Sequence, residues 1–508
     1  METKMKLSSE WIYKYYKELE ENGVENHGLL IMQNGEVIFE EYAAPYSKDM
    51  PHTLFSVTKS VVSTAVGFAV AEGLFSLDSK ILPLFPEYKH CEGEEWNDLT
   101  VRSLLTMNSN KEFSFTQDMT GNYVEMFMKA PFRKKNKGFL YSNNDVHVLS
   151  ALIQKLSGQS VVDYLVPRLF EPLGIEKPDW ETNMLGECIG GTGAYLKLSD
   201  LAKICQCYAD GGKYNGKQVI PEEWTHDATK MHVKFNNRDD YEGYGYLFWI
   251  KDGSFSMTGM YGQIITYYSK YDAVVATFNC TLNEDENDKI INTVLTRAFG
   301  AESDDKWDKL LADYLQNRGE KPIVSGKMPD IPAGKTYYIT PVSDIIGGFM
   351  FPASIIPRSI TSSFAVRPKK NLNRVSFKLT ENVFTVKWYE EEDEVVINCG
   401  LDGKPRMSEC KIKGYPYKIW AYAYCENGVI KAVVKPINTL STRYITFDFS
   451  GRTVKIQMTG TPRFVDFIAK NAGKSSIVSG HPKLKPFIMK VINKVLLTTE
   501  MPLKFRQK

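Results

Sequence analysis

Three short stretches carry side chains whose types and spacing could do chemistry. In "HTLFSVTKSV", residues 52–61, Ser56 and Lys59 stand three apart where a long apolar run begins. On a helix that spacing puts both on one face, with the ammonium group over the hydroxyl. The free N–H groups and positive dipole end at the start of a helix would then face a developing anion. "GFLYSNNDV" supplies Tyr141, Ser142 and Asn143 just before another helical pattern. "FSMTGMYGQ" sets Thr258-Gly259 on a strand, where glycine lets a substrate come close to the backbone. A serine nucleophile needs a base, a group that holds the base, and donors for an oxyanion. The plain alternative for Ser56 is a helix-capping hydroxyl.

Ser-x-x-Lys occurs at two further places, Ser303/Lys306 and Ser408/Lys411. The former lies among charges and the latter in a turn or strand, where residues three apart do not align. Gly-x-Ser-x-Gly is absent, which disfavours the strained elbow of an α/β-hydrolase. A histidine base is possible but unmarked.

The elements that must position these residues fall into two patterns. After an amphipathic first helix, "HGLLIMQNGEVIFEEYA" has two alternating runs about Asn34-Gly35, a strong hairpin signal. Residues 56–240 read mainly helical, and "KSVVSTAVGFAVAEGL" is apolar almost all round, as in a helix buried in a large core. Residues 243–280 return to strands and "DKIINTVLTRAFG" closes as a helix. Strands at both ends with helices between predict an α+β layer fold: an antiparallel sheet flanked by helices, plus a helical subdomain. Charge, Pro and Gly over 301–335 predict a linker holding a short helix. From 336 to about 465 a period of two predicts an antiparallel meander or small barrel, with "EEEDE" as a solvated hairpin tip. The tail, 466–508, has apolar residues at helical spacing with Lys490 and Lys494 interleaved. It reads as a docked helix or as a basic amphipathic helix on a membrane surface.

With these motifs in hand, the chain resembles the serine β-lactamase and penicillin-binding-protein superfamily. The resemblance is to its class C-like branch of esterases, D-aminopeptidases and 6-aminohexanoate-oligomer hydrolases. Ser56-Val57-Thr58-Lys59 looks like the first motif, Tyr141-Ser142-Asn143 like the second, and Met257-Thr258-Gly259 sits where Lys-Thr-Gly is expected. "TVRSLLTMNSN", "LVPRLFEPLGI", "GGTGAYLKLSDLAKI" and "GGKYNGKQVIPEEW" extend the likeness over about residues 25–300, in a first domain taken as 1–300. The resemblance implies Ser56 as acyl-enzyme nucleophile, with Lys59 and Tyr141 moving its proton. It also implies Asn143, Thr258, Gly259 and Met260 as substrate-binding, with the N–H groups of Ser56 and Met260 as oxyanion donors. Trp180 would cover the substrate or pack in the core. Met257 is the departure: a thioether cannot bind a substrate carboxylate as lysine would. That counts against β-lactams and peptidoglycan peptides and leaves neutral esters and small amides. A catalytically silent, binding or regulatory member of the fold is the competing reading.

The remaining features set bounds. A chain of 508 residues predicts two or three domains, and a net charge of +1 gives no sign of a nucleic-acid partner. The first 23 residues lack the apolar core of a signal peptide, and no run reaches the roughly 18 apolar residues of a spanning helix. The eight cysteines form no Cys-x-x-Cys pair and the seven histidines no His-x-x-x-His. Free thiols, a cytoplasmic location, no metal and no cofactor are therefore expected. Nothing in the sequence speaks to oligomeric state.

Overall fold

The computed structural model describes residues 7–91, 93–112, 122–135, 137–183, 185–236, 240–319, 321–331, 334–343, 372–390, 393–412, 415–440, 442–461 and 501–507. The chain divides into two compact units, with the break between Arg318 and Gly319.

In the first unit the helix α1 (Ser9–Glu21) leads into β1 (Glu25–Gln33) and β2 (Glu36–Tyr42). Asn34 and Gly35 both adopt positive φ, 52° and 75°, which turns the hairpin. Six further strands follow after the helical stretch: β3 (Val233–Lys234), β4 (Gly243–Tyr244), β5 (Trp249–Lys251), β6 (Ser254–Gly259), β7 (Gln263–Tyr268) and β8 (Ala273–Cys280). The sheet order is β2-β1-β8-β7-β6-β5-β4-β3, antiparallel throughout. Strands from the two ends of the unit thus meet at β1 and β8, as the sequence pattern predicts.

The period of two explains why both strands are buried along almost their whole length. Leu29, Ile31, Ala273 and Val275 face one apolar cluster with Ile12, Tyr16 and Leu19 of α1 and Ile291 of α5 (Glu284–Thr293). Leu30, Met32, Val274, Ala276 and Phe278 face the other. That second cluster is built by α2 (Thr58–Ala71), α3 (Asn143–Ser157) and α4 (Leu198–Ala209). Every residue of α2 from Thr58 to Ala69 is buried, which is why its sequence is apolar all round. The helix α6 (Asp305–Asn317), expected inside a linker, instead packs on α1. Ser9 Oγ donates to Asp308 Oδ1 (2.5 Å), Tyr314 Oη donates to Glu20 Oε1 (2.8 Å), and the Tyr13 and Trp307 rings meet at 5.8 Å. Its amphipathic face had a partner nearly 300 residues away.

The second unit holds a ten-stranded sheet. Its strands are β9 (Thr336–Ile339), β10 (Leu372–Leu379), β11 (Val383–Glu390), β12 (Asp393–Gly400), β13 (Arg406–Ile412), β14 (Tyr415–Glu426), β15 (Val429–Pro436), β16 (Thr442–Asp448), β17 (Val454–Thr461) and β18 (Leu503–Gln507). They run in the order β12-β11-β10-β9-β18-β17-β16-β15-β14-β13, and a parallel bridge from Gly400 to Tyr422 joins β12 to β14, so the sheet closes as a barrel. Alternate residues such as Val375, Phe377, Phe384, Trp388, Phe447 and Phe505 fill it. The barrel agrees with the sequence pattern, and Glu390 pairs with Asp393 where β11 ends and β12 begins, while 391–392 of the acidic run lie outside the described residues. The tail does not agree in one respect: Leu503–Gln507 is a strand, hydrogen-bonded between β9 and β17. Unpaired edges on both sides, rather than helical periodicity, decide those five residues. Residues 466–500 of the proposed amphipathic tail lie outside the described residues. Among the described residues no helix is long and apolar enough to cross a membrane, and all eight cysteines are free thiols.

Candidate active site

Ser56 lies not in a helix proper but in a 3₁₀ turn, Phe55–Val57, that runs directly into α2. Lys59 is the second residue of that helix. The Ser56 hydroxyl does not cap it, since the N-cap position falls to Val57. Phe55, the residue before Ser56, has φ +47°, an uncommon conformation for a bulky side chain and one that aims the turn. The turn is pinned from two sides. Leu54 N–H donates to Ala194 O (3.0 Å), and Ala194 N–H donates to Thr58 Oγ1 (3.2 Å). A short ladder pairs His52–Thr53 with Tyr195–Leu196.

Lys59 is 1% exposed, and its Nζ donates to Ser56 Oγ (2.8 Å), Asn143 Oδ1 (2.7 Å) and Gly191 O (2.7 Å). Burial pushes its amine down to about 7. Two of its three partners, a side-chain amide oxygen and a backbone carbonyl, can only accept. When Lys59 is neutral its two N–H bonds are therefore committed to Asn143 and Gly191, and its lone pair is left facing Ser56 Oγ. Such an arrangement could accept the proton of that one hydroxyl.

Tyr141 packs over the same group, with Lys59 Nζ 4.8 Å from its ring centroid. The ring stacks on Trp249 (5.6 Å between centroids, 24°) and meets Tyr244 edge-on. Burial pushes its phenol well above the ordinary value, against a smaller opposite pull from its hydrogen bond with Ser56. The resting phenol is thus a proton donor, not a phenolate. Asn143 opens α3, whose N-cap Ser142 accepts from Asp145 N–H (3.2 Å).

On the opposite side β6 ends at Gly259 beside the serine turn. A Cβ on Gly259 would stand 2.3 Å from Leu54 O, so the close approach that requires glycine here is to the turn that carries Ser56. Thr258, Gly259 and Met260 are half-buried there. Tyr261, with φ +67°, lays its ring against Phe55 (5.4 Å) and donates its N–H to Glu284 Oε1 (2.7 Å). Met257 is fully buried in the helical core. Trp180 takes the packing role among the two that its sequence left open. It is 6% exposed, belongs to the same core, and donates its indole N–H to Ile189 O (3.1 Å).

The structure therefore brings Ser56, Lys59, Tyr141 and Asn143 together, sets β6 alongside, and buries Trp180 in the core. Residue-by-residue reading missed Gly191, whose carbonyl holds Lys59. A Cβ there would stand 3.0 Å from Asn143 Cβ and Oδ1, so the "GGTG" run was a usable signal of close packing.

A family model described as Beta-lactamase matches residues 17–298. The chain belongs to the Beta-lactamase family. This β-lactamase-family chain is 22% identical over 294 residues to an uncharacterized protein of Alkalihalophilus pseudofirmus, covering 49% of this chain and 83% of that one. It is 23% identical over 217 residues to the 6-aminohexanoate-dimer hydrolase of Paenarthrobacter ureafaciens, covering 38% of this chain and 55% of the relative, about half of that protein's length. Among solved structures, a penicillin-binding protein homologue from Caulobacter crescentus superposes with a TM-score of 0.48 at 14% identity, covering 57% of this chain and 98% of the other. The matched family region, 17–298, contains every residue of the site.

Proposed function

We propose that this member of the β-lactamase family is a serine hydrolase that cleaves a carboxylic ester or small amide through an acyl-enzyme on Ser56. The observation that carries the reading is the buried Lys59, with two obligate acceptors fixing its N–H bonds and its amine pushed down to about 7. Neutral Lys59 takes the Ser56 proton as Oγ attacks the substrate carbonyl. Tyr141, kept protonated by burial, delivers a proton to the leaving oxygen or nitrogen and is reprotonated through Lys59. Water then attacks the acyl-enzyme by the reverse route, which restores Ser56. Backbone N–H groups of Ser56 and Met260 are assigned to the oxyanion, a contribution of about 3 to 4 kcal/mol per donor.

Met257, buried and apolar, supplies no cation for a substrate carboxylate, which supports neutral substrates. The Paenarthrobacter relative is named as a 6-aminohexanoate-dimer hydrolase, which supports trying short amides beside esters. A fluorophosphonate probe should attach covalently to Ser56, read by peptide mass. Absence of labelling in folded protein would favour a catalytically silent binding module. Turnover of short p-nitrophenyl esters should fall about 10³-fold or more in Ser56→Ala.

A further inference from the structure

A second cluster of reactive side chains lies where β1 and β8 pair, and none of the candidate catalytic or substrate-binding residues belongs to it. Glu25, His27 and Cys280 bring one ligand atom each to within 4.8 Å of one another. Glu25 and Cys280 are direct cross-strand partners of β1 and β8 and so share a face. His27 is the residue that the register skips, between Asn26↔Asn279 and Gly28↔Phe278. Such a bulge re-aims a side chain, here toward its two neighbours.

The imidazole is also oriented from behind. His52 Nδ1 lies 3.0 Å from Thr53 O, which can only accept, so His52 carries its proton there and presents Nε2 as an acceptor. His27 Nδ1, 3.0 Å from that Nε2, must then be the donor. This fixes the neutral His27 tautomer and turns the lone pair of its Nε2 toward Glu25, whose Oε1 is 3.7 Å away. Two rings hold the pair in place: Tyr46 stacks on His27 (3.8 Å, 15°) and Phe278 on His52 (4.5 Å, 17°). Histidine ligands of metals are oriented in this way, with the other ring nitrogen bonded to a fixed partner.

The geometry points to a divalent metal site of the zinc type formed by Glu25, His27 and Cys280. Nitrogen, thiolate and carboxylate together suit zinc, with an open fourth position for water. A nitrogen and an oxygen ligand about such a tetrahedral ion stand about 3.3 to 3.5 Å apart, so the 3.7 Å between His27 Nε2 and Glu25 Oε1 must close by a few tenths of an ångström on binding, which the partly exposed Glu25 side chain allows. On binding, Cys280 Sγ releases its proton to solvent, and thiolate plus carboxylate neutralise the dipositive ion. His27 and Cys280 are buried while the Glu25 side chain is 34% exposed, so entry is from the Glu25 side. Through His27, His52 and Thr53 the ion would also brace the segment that leads into Ser56.

Titration of the full-length, reduced protein with Co²⁺ tests this. Expected are stoichiometric binding, a thiolate-to-cobalt charge-transfer band in the near ultraviolet, and its loss on adding Zn²⁺. Cys280→Ser should lose the band, and Glu25→Gln should keep it with affinity weakened about 10-fold or more. Zn²⁺ should raise the unfolding temperature of the wild type and not of Cys280→Ser. No band in folded wild-type protein, or an equal band in Cys280→Ser, overturns the proposal. Should Cys280→Ser fail to fold, the half-exposed Glu25→Gln decides, and unchanged Co²⁺ affinity there overturns it.

Discussion

Lys59 shows how one buried amine acquires a direction as well as an altered acidity. Desolvation lowers its proton affinity, and the two acceptors choose which neighbour sees the lone pair. The sign of the pH effect follows. Below about 7 the amine is protonated and cannot act as base, so kcat/KM for a neutral ester should rise through about pH 7 and level off above it. Asp145, two residues beyond Asn143 and buried, also has its carboxyl pushed up to about 7 by burial. Asp145→Asn should therefore retain the rising limb, and loss of that limb in this variant would assign the titration to the carboxyl. Lys59→Arg should abolish the limb, because a guanidinium does not deprotonate in this range. Turnover in that variant should drop by about 10²-fold or more, as expected on removing a general base. Nitrocefin, whose carboxylate finds no lysine at Met257, should be turned over negligibly.

Among the elements, the contact between β6 and the serine turn is the tightest constraint on the site. Gly259→Ala would drive a Cβ to 2.3 Å from Leu54 O, and one of the two backbones must move. We expect a loss of about 1 to 3 kcal/mol in stability, typical of overpacking, measured by urea unfolding. Ester turnover at a temperature where the variant stays folded should fall further than stability alone explains. Here the limits of reading the chain in one dimension are plain. Ser56 and Lys59 were visible because a helix turns three-residue spacing into contact, and Tyr141 because it sits against the cap of α3. The pattern of two predicted the sheet and the barrel for the same reason, that local period equals burial side. Trp180 had no such marker: an aromatic residue packs in a core or covers a ligand with identical local sequence. The placing of Gly191 depends on how a distant turn packs against Asn143, and the meeting of His27 with Cys280 on a strand register, both set by the whole fold. The helix Asp305–Asn317 looked like linker because its apolar face is completed only by α1.

At the scale of the molecule, the two units have separate apolar clusters, so damage to one should leave the other's chemistry intact. Trp388, 1% exposed, is among the largest side chains inside the barrel. Trp388→Ala should cost about 3 to 5 kcal/mol in the barrel's unfolding transition by calorimetry while ester turnover at moderate temperature is unchanged. Barrel closure has a further consequence for how the protein is made. The strand Leu503–Gln507 fills the place between Thr336–Ile339 and Val454–Thr461, so those two must wait through the synthesis of everything up to residue 507 before either edge is covered. The sheet of the first unit has all of its strands by Cys280. During translation the ribosome thus carries one sheet that can already be complete and a second that cannot close. In that interval open β edges are exposed to neighbouring nascent chains.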